Sequence, residues 1–455
     1  MKSYLYLKPI PDISIYDIPQ SETYYFMNLA NNSSSNLKQY YQINKTAFEI
    51  ISLLNGTNTF EDIVEVLAKK YNESANDIQK KVIPFITNLS EIYFISIEEQ
   101  IDPILHEIKL KSYNNLYPKA VCLELTNRCN MFCKHCYGDF KSNNNIDMPI
   151  EKVYPLLENI NEMEIDVLEI TGGDPSVYKD IDLVLEKINE LEIPNVSFLT
   201  NGLYLPNKLL NSLKKLKEKL FVQVDLHSLN EEYFNWFTGT EGKLEIIKNN
   251  IRSLIESGIR VRIAAIFTPK NVNELFEIGK WAHDNGAILY APSIVTCVGR
   301  AANNQSNNLL LNDEESLIKF YTLKQEVKSK YPKLILDSEE PVINCGALVS
   351  EVTINSNGII KLCNTDDQQV FKIDFGNVFE KNIMEIYDEN IDFIQTLRKT
   401  MPPKKDSDTC VSCTERFFCS YCFVRGLTGA SKMKDKCKWY SNLNPIIKDK
   451  LKLLS

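Results

Sequence analysis

Three absences frame the chain. No apolar run approaches the roughly 20 residues a membrane-spanning helix needs, so no membrane span is expected. The first residues, Met1-Lys-Ser-Tyr-Leu-Tyr-Leu-Lys8, have no apolar core of the length a secretory signal uses. A cytoplasmic protein is expected, in a compartment where thiols stay reduced. Positive charge is also short: 51 Lys and Arg face 60 Asp and Glu, for a net charge of −9. Lys214, Lys215, Lys217 and Lys219 sit on a polar helix as a solvated face, so no nucleic-acid partner is expected. What the chain does have is 455 residues, 44% apolar and 24% charged, enough for two or three folded domains. It also has twelve cysteines, which in a reducing compartment point to metal.

Three of them are packed into Cys129-Asn-Met-Phe-Cys133-Lys-His-Cys136, spaced C-x3-C-x2-C. Three thiolates on one short loop can grip three corners of a cubic iron–sulfur cluster. A fourth is missing, which leaves one iron open to a ligand other than protein. Zinc would want four closed ligands, and a disulfide would leave one cysteine over. The loop follows the apolar stretch Ala120-Val-Cys-Leu-Glu-Leu125, which reads as a buried strand. It is thus a strand-end loop, where α/β barrels place their chemistry.

Leu125-Thr-Asn-Arg-Cys-Asn-Met-Phe-Cys-Lys-His-Cys-Tyr137 resembles the cluster loop of radical SAM enzymes. The resemblance implies a 4Fe–4S cluster whose open iron chelates S-adenosylmethionine (SAM). One electron then cleaves SAM, and the 5′-deoxyadenosyl radical abstracts hydrogen.

Residues 119–302 alternate strand and helix, with strands expected at Val121–Thr126, Asp166–Thr171, Asn195–Thr200, Leu220–Leu226, Val261–Phe267 and Ala287–Ile294. Spacing alone does not separate a barrel from a doubly wound sheet. The resemblance implies an α/β fold built on the partial (β/α)6 TIM-type barrel of radical SAM enzymes. Thr171-Gly-Gly-Asp-Pro175 ends the second strand. Its glycines permit close approach of backbone to a ligand, although a plain turn reads the same way. Beside the cluster loop, Gly172, Gly173 and Asp174 match the family motif that binds the methionine amino group, with Asp in place of the commoner Glu. By the same resemblance Asp225 stands beside the ribose, and a buried capping role is its alternative. Thr238 occupies the place where relatives often carry Arg for the methionine carboxylate, and Arg262 is the candidate substitute. Tyr137 flanks the adenine or belongs to the core.

The first hundred residues read as a separate winged-helix-like unit, 1–100. Strand-like runs lie at Lys2–Lys8, Glu22–Leu29 and Leu37–Ile43, with a turn at Asn31–Asn36. A helix carrying Phe48, Ile51 and Leu54 is expected to stop at Gly56. Thr59-Phe-Glu-Asp62 reads as a capping box opening a second helix. Ile78, Val82, Phe85, Ile86 and Leu89 mark a third. Asn44-Lys-Thr-Ala-Phe-Glu-Ile-Ile, Leu54-Asn-Gly-Thr and Ile63-Val-Glu-Val-Leu-Ala-Lys-Lys-Tyr resemble the PqqD-like recognition element of enzymes that modify ribosomally made peptides. That implies a precursor-peptide partner whose leader adds a strand to a sheet edge and packs on the third helix. Residues 101–118 read as a linker and 303–340 as a helical bridge.

The last part, 341–455, has its own thiol pattern: Cys345, Cys363, then Cys410-x2-Cys413-x5-Cys419-x2-Cys422, then Cys437. A zinc ribbon could use Cys410, Cys413, Cys419 and Cys422, leaving three thiols unemployed. The whole pattern resembles the SPASM domain, which carries two auxiliary 4Fe–4S clusters. Carried over, Cys345, Cys363 and Cys422 hold the first, with a possible open site. Cys410, Cys413, Cys419 and Cys437 hold the second. Cys122 and Cys297 are left as small buried hydrophobes.

Together these parts resemble radical SAM/SPASM maturases of peptides. Glu124-Leu-Thr-Asn-Arg-Cys-Asn, Glu169-Ile-Thr-Gly-Gly, Asn344-Cys-Gly-Ala and Cys422-Phe-Val-Arg-Gly-Leu bring the chain nearest to thioether-forming sactipeptide maturases of the subtilosin A type. The resemblance implies hydrogen abstraction from a peptide carbon, closure of a bond from a cysteine sulfur, and a flavodoxin- or ferredoxin-type reductant. Radical C–C crosslinking and peptide decarboxylation are the enzymatic alternatives, and an iron–sulfur electron-transfer or peptide-delivery scaffold is the non-enzymatic one. Asn364 stands where sulfatase-maturing relatives carry a basic aspartate, which counts against that reaction.

Overall fold

The structure, a computed structural model, describes residues 4–7, 14–18, 23–28, 39–91, 95–98, 109–112, 117–138, 140, 145–303, 309–311, 313–335, 345–366, 368, 370–433 and 436–453. They form two compact units, Met1–Asn115 and Leu116–Ser455. Among the described residues no helix is long and apolar enough to cross a membrane.

The first unit holds two small sheets. Strands β1 (Tyr4–Leu7), β5 (Asn55–Thr59) and β6 (Ile95–Glu98) form one, with β1 in the middle. Strands β2 (Ser14–Ile18), β3 (Thr23–Asn28), β4 (Gln39–Asn44) and β7 (Lys109–Ser112) form the other, in the order β4-β3-β2-β7. Two expectations are corrected here. The stretch 101–118 is not a plain linker, because β7 pairs in parallel with β2. Helix α1 (Lys45–Ser52) ends before Gly56, which sits at φ 76° within β5 where the β1 register shifts. Glycine there serves an irregular strand rather than a helix stop. The turn expected at Asn31–Asn36 lies outside the described residues.

Helix α2 (Phe60–Tyr71) starts as its sequence demands. The Thr59 hydroxyl accepts from Asp62 N–H at 3.2 Å, and the Asp62 carboxylate accepts from Thr59 N–H at 2.8 Å. Glu61 and Asp62 sit at the positive end of the helix and Lys69 and Lys70 at the negative end. Ile63, Val64 and Leu67 on its buried face meet Ile78, Val82, Ile86 and Leu89 of α3 (Ala75–Glu91) and Ile50, Ile51 and Leu54 around α1.

The second unit is built on one open eight-stranded sheet. Six parallel strands run in chain order: β8 (Ala120–Glu124), β9 (Val167–Thr171), β10 (Asn195–Thr200), β11 (Leu220–Asp225), β12 (Arg260–Phe267) and β13 (Leu289–Ile294). A doubly wound sheet would reverse that order at a switch point, and no reversal occurs. Helices follow the strands: α4 (Ile150–Glu162), α5 (Ile181–Glu190), α6 (Asn207–Lys215), α7 (Glu231–Thr238), α8 (Leu244–Glu256), α9 (Leu275–Asp284) and α10 (Arg300–Asn303), with α11 (Glu314–Lys330) in the expected bridge. The helix-facing positions Val121, Leu123, Leu168, Ile170, Val196, Phe198, Val222, Val224, Val261 and Ile263 are almost wholly buried. The intervening positions of β9, β11 and β12 carry Glu169, Gln223, Asp225 and Arg262. The concave face is therefore polar.

The cysteine-rich part is not a detached domain. Its strand β14 (Glu351–Ile354) pairs in parallel with β8, and β15 (Ile360–Lys361) pairs back on β14. An open barrel leaves the β8 edge with unpaired backbone groups, and β14 satisfies them. Strands β16 (Phe371–Ile373) and β17 (Leu451–Leu453) form a separate two-stranded ribbon. Helices α12 (Ile383–Glu389), α13 (Ile391–Lys399), α14 (Arg416–Cys419) and α15 (Phe423–Met433) complete the part that matters for the site.

Replacing Thr59 by Ala removes one N-cap acceptor, worth about 1 kcal/mol. Hydrogen exchange of the first-turn amides of α2 is expected to speed up about fivefold. Thr59→Ser is expected to restore the protection.

Candidate metal centre and cofactor site

The loop after β8 is fixed by its backbone. Gly173 N–H donates to Thr126 O at 2.7 Å and Asp174 N–H to Arg128 O at 2.8 Å. Phe132 N–H and Lys134 N–H donate to Thr238 O and Phe237 O, at the C-terminus of α7, at 2.8 and 2.9 Å. A Cβ on Gly172 would stand 2.3 Å from Thr126 O, and one on Gly173 2.1 Å from Arg128 O. The two glycines are thus required to seat the loop, whatever else they touch.

Gly299 and Arg300, which sequence reasoning missed, close the loop from the other side. Gly299 has φ 54°, and a Cβ there would lie 2.1 Å from Tyr137 O. Arg300 N–H donates to Cys136 O at 2.8 Å, and its buried guanidinium donates to Cys133 O at 2.9 Å and to Phe140 O. The guanidinium also lies 3.7 Å from the centre of the Phe132 ring. The only sequence signal was a Gly-Arg pair just past the sixth strand, a strand-end position of the kind that serves barrel sites.

Cys129, Cys133 and Cys136 come together on this loop. Burial, aided by Asp174, pushes the Cys129 thiol up to about 12. Burial and then Cys129 and Cys136 push Cys133 well up. Asn201 Nδ2 lies 3.7 Å from Cys129 Sγ and donates to Asn130 Oδ1 at 2.6 Å. His135 stacks on Phe237 with centroids 4.6 Å apart and meets His227 edge-on at 4.7 Å. Burial chiefly, with Arg300 second, holds His135 down at about 4, so it is neutral.

Asp174 is buried, and its carboxylate accepts from Ser176 N–H (2.9 Å), the Ser176 hydroxyl (2.5 Å), the Thr200 hydroxyl (3.0 Å) and Asn201 N–H (2.7 Å). A carboxylate offers about four acceptor sites. In this structure those four are taken by its own chain, tying the end of β9 to the end of β10. Asp225 ends β11 with Gln223 Nε2 at 3.3 Å, and burial raises its carboxyl to about 7. Arg262 donates to Gln223 Oε1 at 2.9 Å through Nε, and its guanidinium lies 5.2 Å from the Phe221 ring centre. Thr238 turns its hydroxyl inward to Phe234 O at 2.7 Å. The Tyr137 ring meets Phe140 edge-on at 5.5 Å, and Lys361 Nζ stands 5.9 Å from its centre. Lys361 in turn pairs with Glu124 at 2.9 Å, both side chains about 5% exposed. That ion pair joins β15 to β8 directly behind the loop.

Seven of the nine remaining thiols separate into two groups; Cys122 is buried as expected, whereas Cys297 is only half-buried. The Cys345 thiol donates a hydrogen bond to the Cys422 sulfur, and both neighbour Cys363. Cys422 lies just before α15, where its sulfur accepts from Arg425 N–H at 3.5 Å. Its hydrogen bond with Cys345 and the Arg425 contacts lower its pKa, and the same hydrogen bond raises that of Cys345. Cys363 is pushed to about 12 by burial. Cys410, Cys413, Cys419 and Cys437 are mutual neighbours. Burial and then Glu415 raise Cys419 to about 12. Gly429 of α15 makes room for this sulfur, since a Cβ there would fall 2.3 Å from Cys419 Sγ. Cys422 thus sides with Cys345 and Cys363 rather than with its sequence neighbour Cys419. All these cysteines are free thiols.

This donor set fits iron–sulfur clusters. It is all sulfur, arranged as three, three and four. Buried thiols raised by one another become thiolates when cationic iron compensates their charge.

The Radical SAM superfamily matches residues 123–282, the PqqD family 27–95 and the SPASM iron–sulfur cluster-binding domain 345–414. The chain is a radical SAM/SPASM peptide maturase. It is similar to the antilisterial bacteriocin subtilosin biosynthesis protein AlbA of Bacillus subtilis, 25% identical over 94% of this chain and 95% of that protein. A probable GTP 3′,8-cyclase of Sulfurisphaera tokodaii is 26% identical over 52% of the maturase and 79% of its own length. In fold, the maturase resembles Streptococcus suis SuiB bound to S-adenosylmethionine, with TM-score 0.59 and 15% identity over 97% of this chain and 100% of that one. SuiB bound to its precursor peptide SuiA gives TM-score 0.56 at 16% identity, over 98% of this chain and 100% of that one. The maturase therefore has a SAM-binding 4Fe–4S cluster and auxiliary clusters.

Gly429→Ala suits a helix better than glycine does, yet it is expected to displace Cys419. Iron analysis should show the loss of one cluster's worth of iron, with the SAM-cleaving cluster retained. Asp225 supplies a pH test on the SAM-free enzyme. Its carboxyl ordinarily ionises near 3.8 and here near 7. The folded state therefore favours the protonated form, and this contribution to stability is lost as pH rises through about 7. Asp225→Asn is expected to melt higher than wild type above about pH 8, by up to about 4 kcal/mol, and to match it near pH 4.

Proposed function

We propose that the maturase forms intramolecular thioethers in a ribosomally made precursor peptide, joining a cysteine sulfur to the α-carbon of a downstream residue. The observation that carries the reading is the grouping of Cys345, Cys363 and Cys422, three thiols where a cubic cluster has four iron corners; in this reading the fourth ligand is the substrate's cysteine. The likeness to AlbA along nearly the full length of both chains supports it. SAM bound at the reduced cluster would supply the 5′-deoxyadenosyl radical that takes the α-hydrogen; the cysteine gives up its thiol proton as the S–C bond forms, and the one electron left over would pass to an auxiliary cluster.

The chain's own residues then have distinct tasks. Cys129, Cys133 and Cys136 hold the cluster that binds SAM. Gly172, Gly173 and Arg300 keep that loop's backbone fixed. Asp174, Asp225, Arg262 and Tyr137 line the SAM side, with Asp174 acting first as the tie between β9 and β10. Cys345, Cys363 and Cys422 present the open auxiliary site, and Cys410, Cys413, Cys419 and Cys437 hold the outer cluster. The first unit retains the leader of the precursor at a sheet edge, against α3, where Ile83 is 44% exposed. Twelve cysteines, with no disulfide among those described, suit a reducing cytoplasm, and a flavodoxin- or ferredoxin-type protein supplies the electrons.

The test is mass spectrometry of the small peptide encoded nearest this gene, after anaerobic incubation with loaded enzyme, reductant and SAM. Loss of two hydrogens per cysteine, with those thiols no longer alkylatable, is expected. Loss of hydrogens with the thiols still free would replace thioether formation by C–C bonding or dehydrogenation.

A further inference from the structure

The face around the outer thiol group combines local positive charge with apolar exposure. Residues 404–438 carry eight Lys and Arg against four Asp and Glu, a net +4 in a chain whose total is −9. Phe417 is 67% exposed, more than any other large apolar side chain among the described residues. It lies on α14, the single turn that ends on Cys419. Two cations flank its ring, Arg416 with its guanidinium 4.8 Å from the centre and Lys405 with its ammonium at 6.0 Å. The patch is continuous. Arg416 donates to Val411 O, Lys405 N–H donates to the Ser420 hydroxyl at 3.2 Å, and Tyr421 follows. Val411 and Tyr421 are 50% and 41% exposed.

An exposed ring held between cations is a poor core element and a good interface anchor, since aromatics and Arg are enriched at interfaces while Lys at a rim steers association. We propose that Val411, Arg416, Phe417 and Tyr421, ringed by Lys404 and Lys405, form the docking surface for a small acidic one-electron carrier protein. This rests on the proposal that a carrier protein reduces the enzyme, and it assigns that step a place. One electron leaves the carrier, which is oxidised by one, and enters the cluster held by Cys410, Cys413, Cys419 and Cys437, which is reduced by one. No bond is made or broken. The chain's overall negative charge repels an acidic carrier elsewhere, so this local reversal also sets the orientation of encounter. Contacts of this kind are small and short-lived, in keeping with a patch of four apolar or aromatic-flanking residues.

The probe is a purified bacterial flavodoxin, reduced to its hydroquinone and mixed with loaded enzyme in a stopped-flow instrument. In wild type the transfer rate is expected to fall steeply with added salt. Lys404→Glu with Lys405→Glu, and separately Phe417→Ser, should each lower the low-salt rate about tenfold. The same variants should keep their iron content and their dithionite-driven release of 5′-deoxyadenosine. Lys214→Glu on α6 with Lys217→Glu in the turn after it is the matched control and should transfer at the wild-type rate. A rate indifferent to salt, or unchanged in both patch variants, overturns the proposal. So does a patch that binds a single-stranded oligonucleotide more tightly than flavodoxin. Failure of dithionite itself to release 5′-deoxyadenosine from wild type would instead strike the radical SAM reaction, and leave the docking measurement readable on its own.

Discussion

The site depends on one constraint, the approach of backbone to backbone around the cluster loop. Three thiolates can face a common centre only if fewer than a dozen residues are held in an irregular path without a helix or strand of their own. The path is held from two sides by strand-end turns that lack side chains where they touch it, Gly172–Gly173 on one and Gly299 on the other. Its carbonyls are then capped by Arg300 and its amides by the last carbonyls of α7. Loop carbonyls and amides that are buried need partners, and here the partners come from the turn after β9, the segment past β13 and the C-terminus of α7. The barrel supplies them because its strands all finish at the same rim.

A second consequence of the parallel sheet is the polar concave face. Cys122, Glu124, Glu169, Gln223, Asp225 and Arg262 come from alternate positions on four strands, while the other alternate set builds the hydrophobic core. Buried charge is costly unless matched. Glu124 is matched by Lys361 and Arg262 by Gln223. Removing only one member of the Glu124–Lys361 pair would leave a charge buried against Tyr137, which makes the pair a conditional asset and not a simple gain in stability.

The sequence was most legible where residue type and spacing carry their own chemistry. The cysteine triplet, the capping box at Thr59 and Asp62, and six strands with boundaries within a few residues are in this class. It was less legible where a role is created by distant neighbours. Nothing local distinguishes Arg300 from a surface arginine until Cys133 and Phe140 are placed beneath it. Asp174 read as a ligand-facing carboxylate, and only the proximity of Ser176, Thr200 and Asn201 gives it a tying role. Gly56 read as a helix stop because a strand of the sequence Asn-Gly-Thr-Asn-Thr has almost no apolar pattern. The β7 strand hid in a stretch without periodicity because its partner, β2, is nearly a hundred residues away.

The pairing of β14 with β8 has a mechanical meaning. A domain joined by a tether can swing, but a strand zipped into the same sheet cannot do so without tearing its ladder. The thiols that precede and follow the β14–β15 hairpin are therefore held at a set span from the loop that grows out of β8. The enzyme works as a fixed jig, with its tools bolted to one plate. Any adjustment then falls to the peptide substrate and not to the plate.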